Sequence, residues 1–131
     1  MAQGNVFGVL KGAPDRVLKF CTVNSDPTAM AVIEKTMQEL MGQARRVLCI
    51  AKRTYSAGEL PASLEGSNGS DCNFPMRSFE FVGLYGIEDP PKDGVAEAVV
   101  KAQAAGVKVV MVTGDHPATA RAIAKRINIL P

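Results

Sequence analysis

The most constraining feature of this chain is the order of patterns in its last third. An apolar run, "FEFVGLYGI" (Phe79 to Ile87), passes through the turn "EDPPKD" into "GVAEAVVKAQAAG". There Val95, Ala98, Val99, Ala102 and Ala105 fall on one helical stripe, closed by Gly106. A second β-branched run, "VKVVMVT" (Val107 to Thr113), follows. Pro117 then opens another helix, with Ala120, Ile123, Ala124 and Ile127 on its inner face. Strand, helix, strand, helix at this spacing predicts a βαβα unit with buried parallel strands and a right-handed crossover. Phe79 to Leu130 is expected to form half of a doubly wound α/β sheet.

Upstream, "NVFGVLKG" (Asn5 to Gly12) reads as a strand, and "APDRVLKFC" as a helical turn entered at Pro14, with Val17, Leu18 and Cys21 on one face. A longer helix starts at Pro27, capped by Ser25 or Asp26. It carries Met30, Ile33, Met37, Leu40 and Met41 at the helical period and stops at Gly42. "RRVLCIAKR" is a short strand between basic flanks, whose Arg45, Arg46, Lys52 and Arg53 read mostly as a solvated rim. From Ser56 to Pro75 the composition turns to Gly, Ser and Pro with no period, which marks a long loop or linker and a candidate domain boundary.

Composition excludes several classes. With 131 residues, 47% hydrophobic and 21% charged, the chain is globular rather than disordered. A net charge of +2 is too weak to argue for nucleic acid or an anionic membrane surface, so any anion site must be local. The apolar runs are strand-length, too short to span a bilayer. Cys21, Cys49 and Cys72 are widely spaced and odd in number, as expected of thiols in a reducing compartment, and no metal-ligand spacing is present.

Ligands of open α/β sheets bind outside the carboxyl ends of the strands. Thr113, Gly114 and Asp115 stand at one such end, and Asp89 lies just past another. The Thr113 hydroxyl and the Gly114 amide can donate to a phosphoryl oxygen, and the following helix points its positive end at the same place. Read blandly, Asp115 is the cap of that helix, His116 is an exposed turn residue, and Lys11 is a solvated lysine.

Taken in order, "LKGAPD", "RRVLCIAKR", "NFPMRSFEFVGLYGIEDPPKDGV" and "AGVKVVMVTGDHPATARAIAKRINIL" resemble the cytosolic part of the P-type cation-transporting ATPases, with wording closest to the sodium/potassium and proton/potassium pump α subunits. The resemblance implies a role for each matching position. Lys11 and Gly12 match the KGA motif of the nucleotide-binding domain, where the lysine lines the adenine pocket. Arg46 matches the arginine that reaches the nucleotide phosphates. Asp89 heads the DPP motif, and Lys92 departs from the arginine that usually follows it. Thr113, Gly114 and Asp115 match the TGD motif, with the threonine holding the transferred phosphoryl group and Asp115 near nucleotide and magnesium.

The fold implied is a partial haloacid-dehalogenase-like parallel sheet joined to an incomplete α+β nucleotide-binding domain. Residues 1–77 would be the later portion of the nucleotide-binding domain and 78–131 the βαβα portion of the phosphorylation domain. ATP and Mg2+ are the implied cofactors, and the implied partner is the remainder of the pump, including its transmembrane domain. The implied place is the cytosolic face of a membrane, with this piece itself soluble. A half sheet also leaves an edge open to self-association.

The family transfers phosphate from ATP to the aspartate of a DKTGT motif. Neither that string nor the magnesium-holding TGDGVND segment occurs here, so no catalytic residue is expected within the chain and turnover in isolation is not expected. Two other functions fit less of the sequence. One is a non-catalytic nucleotide-binding or pump-associating module. The other is a haloacid-dehalogenase-type phosphatase, which would need a DxD motif that is absent.

Overall fold

A computed structural model describes residues 6–56, 58–66, 69 and 71–131. The expected strand start at Asn5 and part of the Ser56-to-Pro75 loop lie outside them. The elements run β1 (Val6–Gly12), α1 (Pro14–Val17), two short 3-10 turns (Leu18–Phe20 and Thr22–Ser25), α2 (Pro27–Gly42), β2 (Arg45–Tyr55), β3 (Glu80–Glu88), α3 (Val95–Ala104) and α4 (Pro117–Arg126). The chain is a small α/β protein with one three-stranded antiparallel sheet in the order β1-β2-β3.

Two compact units interleave along the sequence, one of Met1–Val32 and Leu48–Tyr85, the other of Ile33–Val47 and Gly86–Pro131. In the first, β1 pairs antiparallel with β2, from Val6 opposite Tyr55 to Gly12 opposite Cys49. The strand period of two sends Cys49, Ala51 and Tyr55 inward, and all three are buried. Val17, Leu18, Cys21 and Phe79 complete this core. Phe79 is fixed by its own backbone, which donates to the Phe20 carbonyl and accepts from the Thr22 amide. Gly8 is required by a close approach: a Cβ there would stand 2.6 Å from the Tyr55 ring.

Arg53 takes an inward position of β2 and corrects its reading as a solvated cation. Its guanidinium lies over the Tyr55 ring at 4.8 Å and donates to Glu59 and to the Arg77 carbonyl. The Tyr55 hydroxyl donates to the Pro75 carbonyl, and Asn73 bonds back to Ser63 and Glu65. The described part of the Gly- and Ser-rich stretch is therefore a loop pinned to its own unit.

In the second unit the core is Ile33, Met41, Ala44, Val47, Val99, Ala124 and Ile127, with the Thr119 hydroxyl buried among them. α3 ends as its sequence predicts. Gly106 sits at φ +79°, its amide donates to the Gln103 carbonyl, and the Val107 amide reaches the Ala102 carbonyl. Earlier, in the first unit, α2 starts with Asp26 accepting from the amides of Thr28 and Ala29.

The parallel sheet is where expectation and structure part. Val107 to Thr113 belongs to no strand, and Val112 is 93% exposed. Among the described residues no strand pairs with this run, so its β-branched residues have no pleated neighbour to pack against. β3 forms, but as the antiparallel neighbour of β2. It is largely exposed rather than buried, with Val82 and Tyr85 more than half accessible.

Candidate functional site

Five of the seven sequence-selected residues gather in the second unit. The start of β2 supplies Arg46, the residue after β3 is Asp89, and Thr113, Gly114 and Asp115 precede α4. Arg46 donates from Nε to Asp115 Oδ1 at 2.8 Å, and its Nη2 lies at 2.8 Å from the same oxygen. The other carboxylate oxygen, Oδ2, accepts from the Thr113 hydroxyl at 3.0 Å, while the Asp115 amide donates back to Thr113 Oγ1 at 3.0 Å. Gly114 between them has open space where a Cβ would project.

These bonds explain the charge state of the corner. The Arg46 guanidinium, and after it the Thr113 hydroxyl, hold the Asp115 carboxyl below the ordinary aspartate range. Asp115 is mostly covered, with 16% of its side chain exposed, whereas Arg46 is 64% exposed. The guanidinium therefore stays open to water while one oxygen of a carboxylate occupies part of its fork.

Arg46, Asp89 and Asp115 line one cavity of about 250 Å³, together with Ala44, Ile87, Glu88, Thr119 and Ile123. Ligand pockets for drug-sized molecules hold roughly 300 to 1,000 Å³, so this cavity falls just below that range. Glu88 is bound to the cavity wall. Arg126 donates to its Oε1 at 3.1 Å and Arg45 to its Oε2 at 3.5 Å, and these bonds lower the Glu88 carboxyl, Arg126 foremost.

α4 begins differently from the bland reading of its sequence. Asp115 faces Arg46, and His116 is the cap, with Nδ1 accepting from the Ala118 amide at 3.2 Å. Thr119, missed in the sequence, is 2% exposed and donates to the Arg45 carbonyl at 3.0 Å. A signal was available, since it stands in the first turn of α4, one helical turn before Ile123 on the face read as inner.

Lys11 and Gly12 belong to the first unit. Lys11 is exposed on β1 opposite Ile50, and Gly12 lies opposite Cys49. Strand alternation puts Phe7, Val9 and Lys11 on one face with Ile50 and Lys52, an exposed surface that is apolar with two cations.

Residues 2–94 match the family model described as the P-type ATPase cytoplasmic domain N. The chain belongs to the P-type cation ATPases. It is 39% identical over 130 residues to the sodium/potassium-transporting ATPase subunit alpha of Drosophila melanogaster, covering 93% of this chain and 12% of that protein. The human sodium/potassium-transporting ATPase subunit alpha-2 gives 39% over 130 residues, with 93% and 13% covered. The potassium-transporting ATPase alpha chain 2 of Oryctolagus cuniculus gives 40% over 130 residues, with 93% and 12% covered. The chain thus spans about one eighth of the length of these relatives. Among its described residues no helix is long and apolar enough to cross a membrane.

Proposed function

We propose that this P-type ATPase chain handles the nucleotide of an ATP-driven cation pump, with its second unit gripping the terminal phosphates. The observation that carries this reading is the bonded Arg46, Asp115 and Thr113 array, of which Arg46 and Asp115 line a cavity of about 250 Å³. A planar guanidinium is suited to forked contact with phosphate oxygens. The Asp115 carboxylate stands where a phosphoryl oxygen would compete for that fork. Thr113 then offers its hydroxyl, and the open backbone at Gly114 allows close approach. In the first unit, taken by itself, Lys11 and the apolar face beside it on β1 suit an adenine ring, with Gly12 closing the strand.

In the whole pump the phosphorylated aspartate lies outside this chain, and so does most of the magnesium site. Among the described residues no group of three or more carboxylate, imidazole or thiol side chains is arranged to hold a metal ion. The domain assignment we favour keeps residues 1–77 with the nucleotide-binding domain and 78–131 with the phosphorylation domain. There Val107 to Thr113 would join a haloacid-dehalogenase-like parallel sheet once neighbouring strands lie beside it. The working place of such a pump is a membrane, with this part on the cytosolic face.

Calorimetric titration of the chain with ADP tests the site. Arg46→Ala is expected to weaken binding by about tenfold or more, the loss of a charge-assisted contact. An Arg46→Ala affinity matching the wild type would overturn the phosphate assignment. No magnesium-dependent ATP turnover is expected from the chain alone, and turnover surviving Thr113→Ala would contradict the reading.

A further inference from the structure

We infer that Thr119 is a positioning residue for Arg46, holding a strained turn so that the guanidinium is presented to the cavity. This rests on the phosphate reading above and adds to it the device that aims its central cation. Ala44 carries φ +63° although it is not glycine, and it is 5% exposed. A left-handed alanine persists only where its surroundings over-determine it, and such strain gathers at working sites. Here the surroundings are the close of α2, where the Ala44 amide donates to the Met41 carbonyl at 2.9 Å, and two bonds from α4, one on each side of the strained residue. Arg126 Nη2 donates to the Gln43 carbonyl at 2.8 Å, and Thr119 Oγ1 donates to the Arg45 carbonyl at 3.0 Å. The next residue is Arg46. Asp115, its ion-pair partner, lies immediately before the His116 cap of α4, so α4 and the residue leading into its cap hold both halves of the pair.

The hydroxyl is the active element, rather than the volume of the side chain. Valine would fill the same space without a donor, and serine would keep the donor at lower volume. Thr119 stands in the cavity wall, but its hydroxyl is spent on the Arg45 carbonyl, so in this scheme it acts through the turn.

The test is an ADP titration of the full chain followed in proton–nitrogen correlation spectra, with the Arg46 Nε–Hε resonance as the local reporter. Thr119→Val is expected to keep a dispersed spectrum, displace and broaden the Arg46 resonance, and weaken ADP binding by roughly three- to tenfold. Thr119→Ser is expected to restore both. In an Arg46→Ala background, Thr119→Val should add no further loss, because the residue through which it acts is gone. Wild-type ADP affinity with an unmoved Arg46 resonance in Thr119→Val overturns the inference, as does an equal further loss in the Arg46→Ala background. Should Thr119→Val fail to fold, Arg126→Gln removes the other bond to the turn, and an Arg46 resonance unchanged in that variant also overturns it. If the wild-type chain does not bind ADP, the phosphate reading fails. The position of the Arg46 resonance in the unliganded variants then still decides the role of Thr119.

Discussion

β2 and the run from Val107 to Thr113 are both short, apolar and rich in strand-forming residues, yet only one of them is a strand. In β2, alternate residues disappear from solvent, with Cys49 and Ala51 fully buried. In the later run, Val107, Val110 and Val112 are 55%, 66% and 93% exposed. The difference is a neighbour. β1 gives β2 a complete antiparallel register over seven residues, whereas no described chain supplies one for the later run. Strand propensity measures fit to a pleated, half-buried surface, so it counts only when that surface exists.

Four experiments break or sharpen this contrast. Ala51→Asp puts an unpaired carboxylate into the fully buried face of β2 and is expected to cost more than about 4 kcal/mol. Chemical denaturation should show the loss, and a cost below that of a surface substitution would mean the β2 face is not packed as described. Next comes Gly8→Ala on the partner strand, where the new methyl meets the enclosed Tyr55 ring. A cost of about 1 to 3 kcal/mol is expected from overpacking, read as a lower thermal midpoint.

The third experiment is an acid titration of stability, which probes the ion pairs around α4. The folded values of Asp115 and Glu88 lie below their ordinary 3.8 and 4.5. Their stabilisation is therefore complete above those ordinary values and is lost as pH falls through the lower folded ones. The loss should be small, because Arg46 and Glu88 are substantially exposed. It should vanish in an Asp115→Asn, Glu88→Gln double variant. At the other end of the scale, burial and the neighbouring Cys21 raise the Cys49 thiol to about 11. Stability held below pH 9 should then fall as pH rises from 9 toward that value. Smallest of all is Val112→Asp, expected to stay within about 0.5 kcal/mol. A large loss there would show that the run is buried in solution, and the contrast with β2 would fail.

Most of the helices were legible because their signals are local. Asp26 and Pro27 start α2, Gly106 ends α3 and Pro117 opens α4, each through a preference that acts within one turn. The site was legible only through motif wording. Arg46 and Asp115 are separated by 69 positions, and nothing in either neighbourhood says that they meet. The cap of α4 was misjudged because an aspartate beside a helix start is a good cap until a guanidinium claims it. His116 then takes the amide instead.

Sequence by itself settled the family, through four motifs in order, and placed the helices, through hydrogen bonds that close within four or five residues. It could not settle which apolar runs become strands, because a strand's hydrogen bonds end on another stretch of chain. Only the folded arrangement paired β1 with β2, left Val112 in water and bent the Ala44 turn so that Arg46 met Asp115. Those outcomes depend on neighbours distant along the chain, and no local pattern encodes a distant partner.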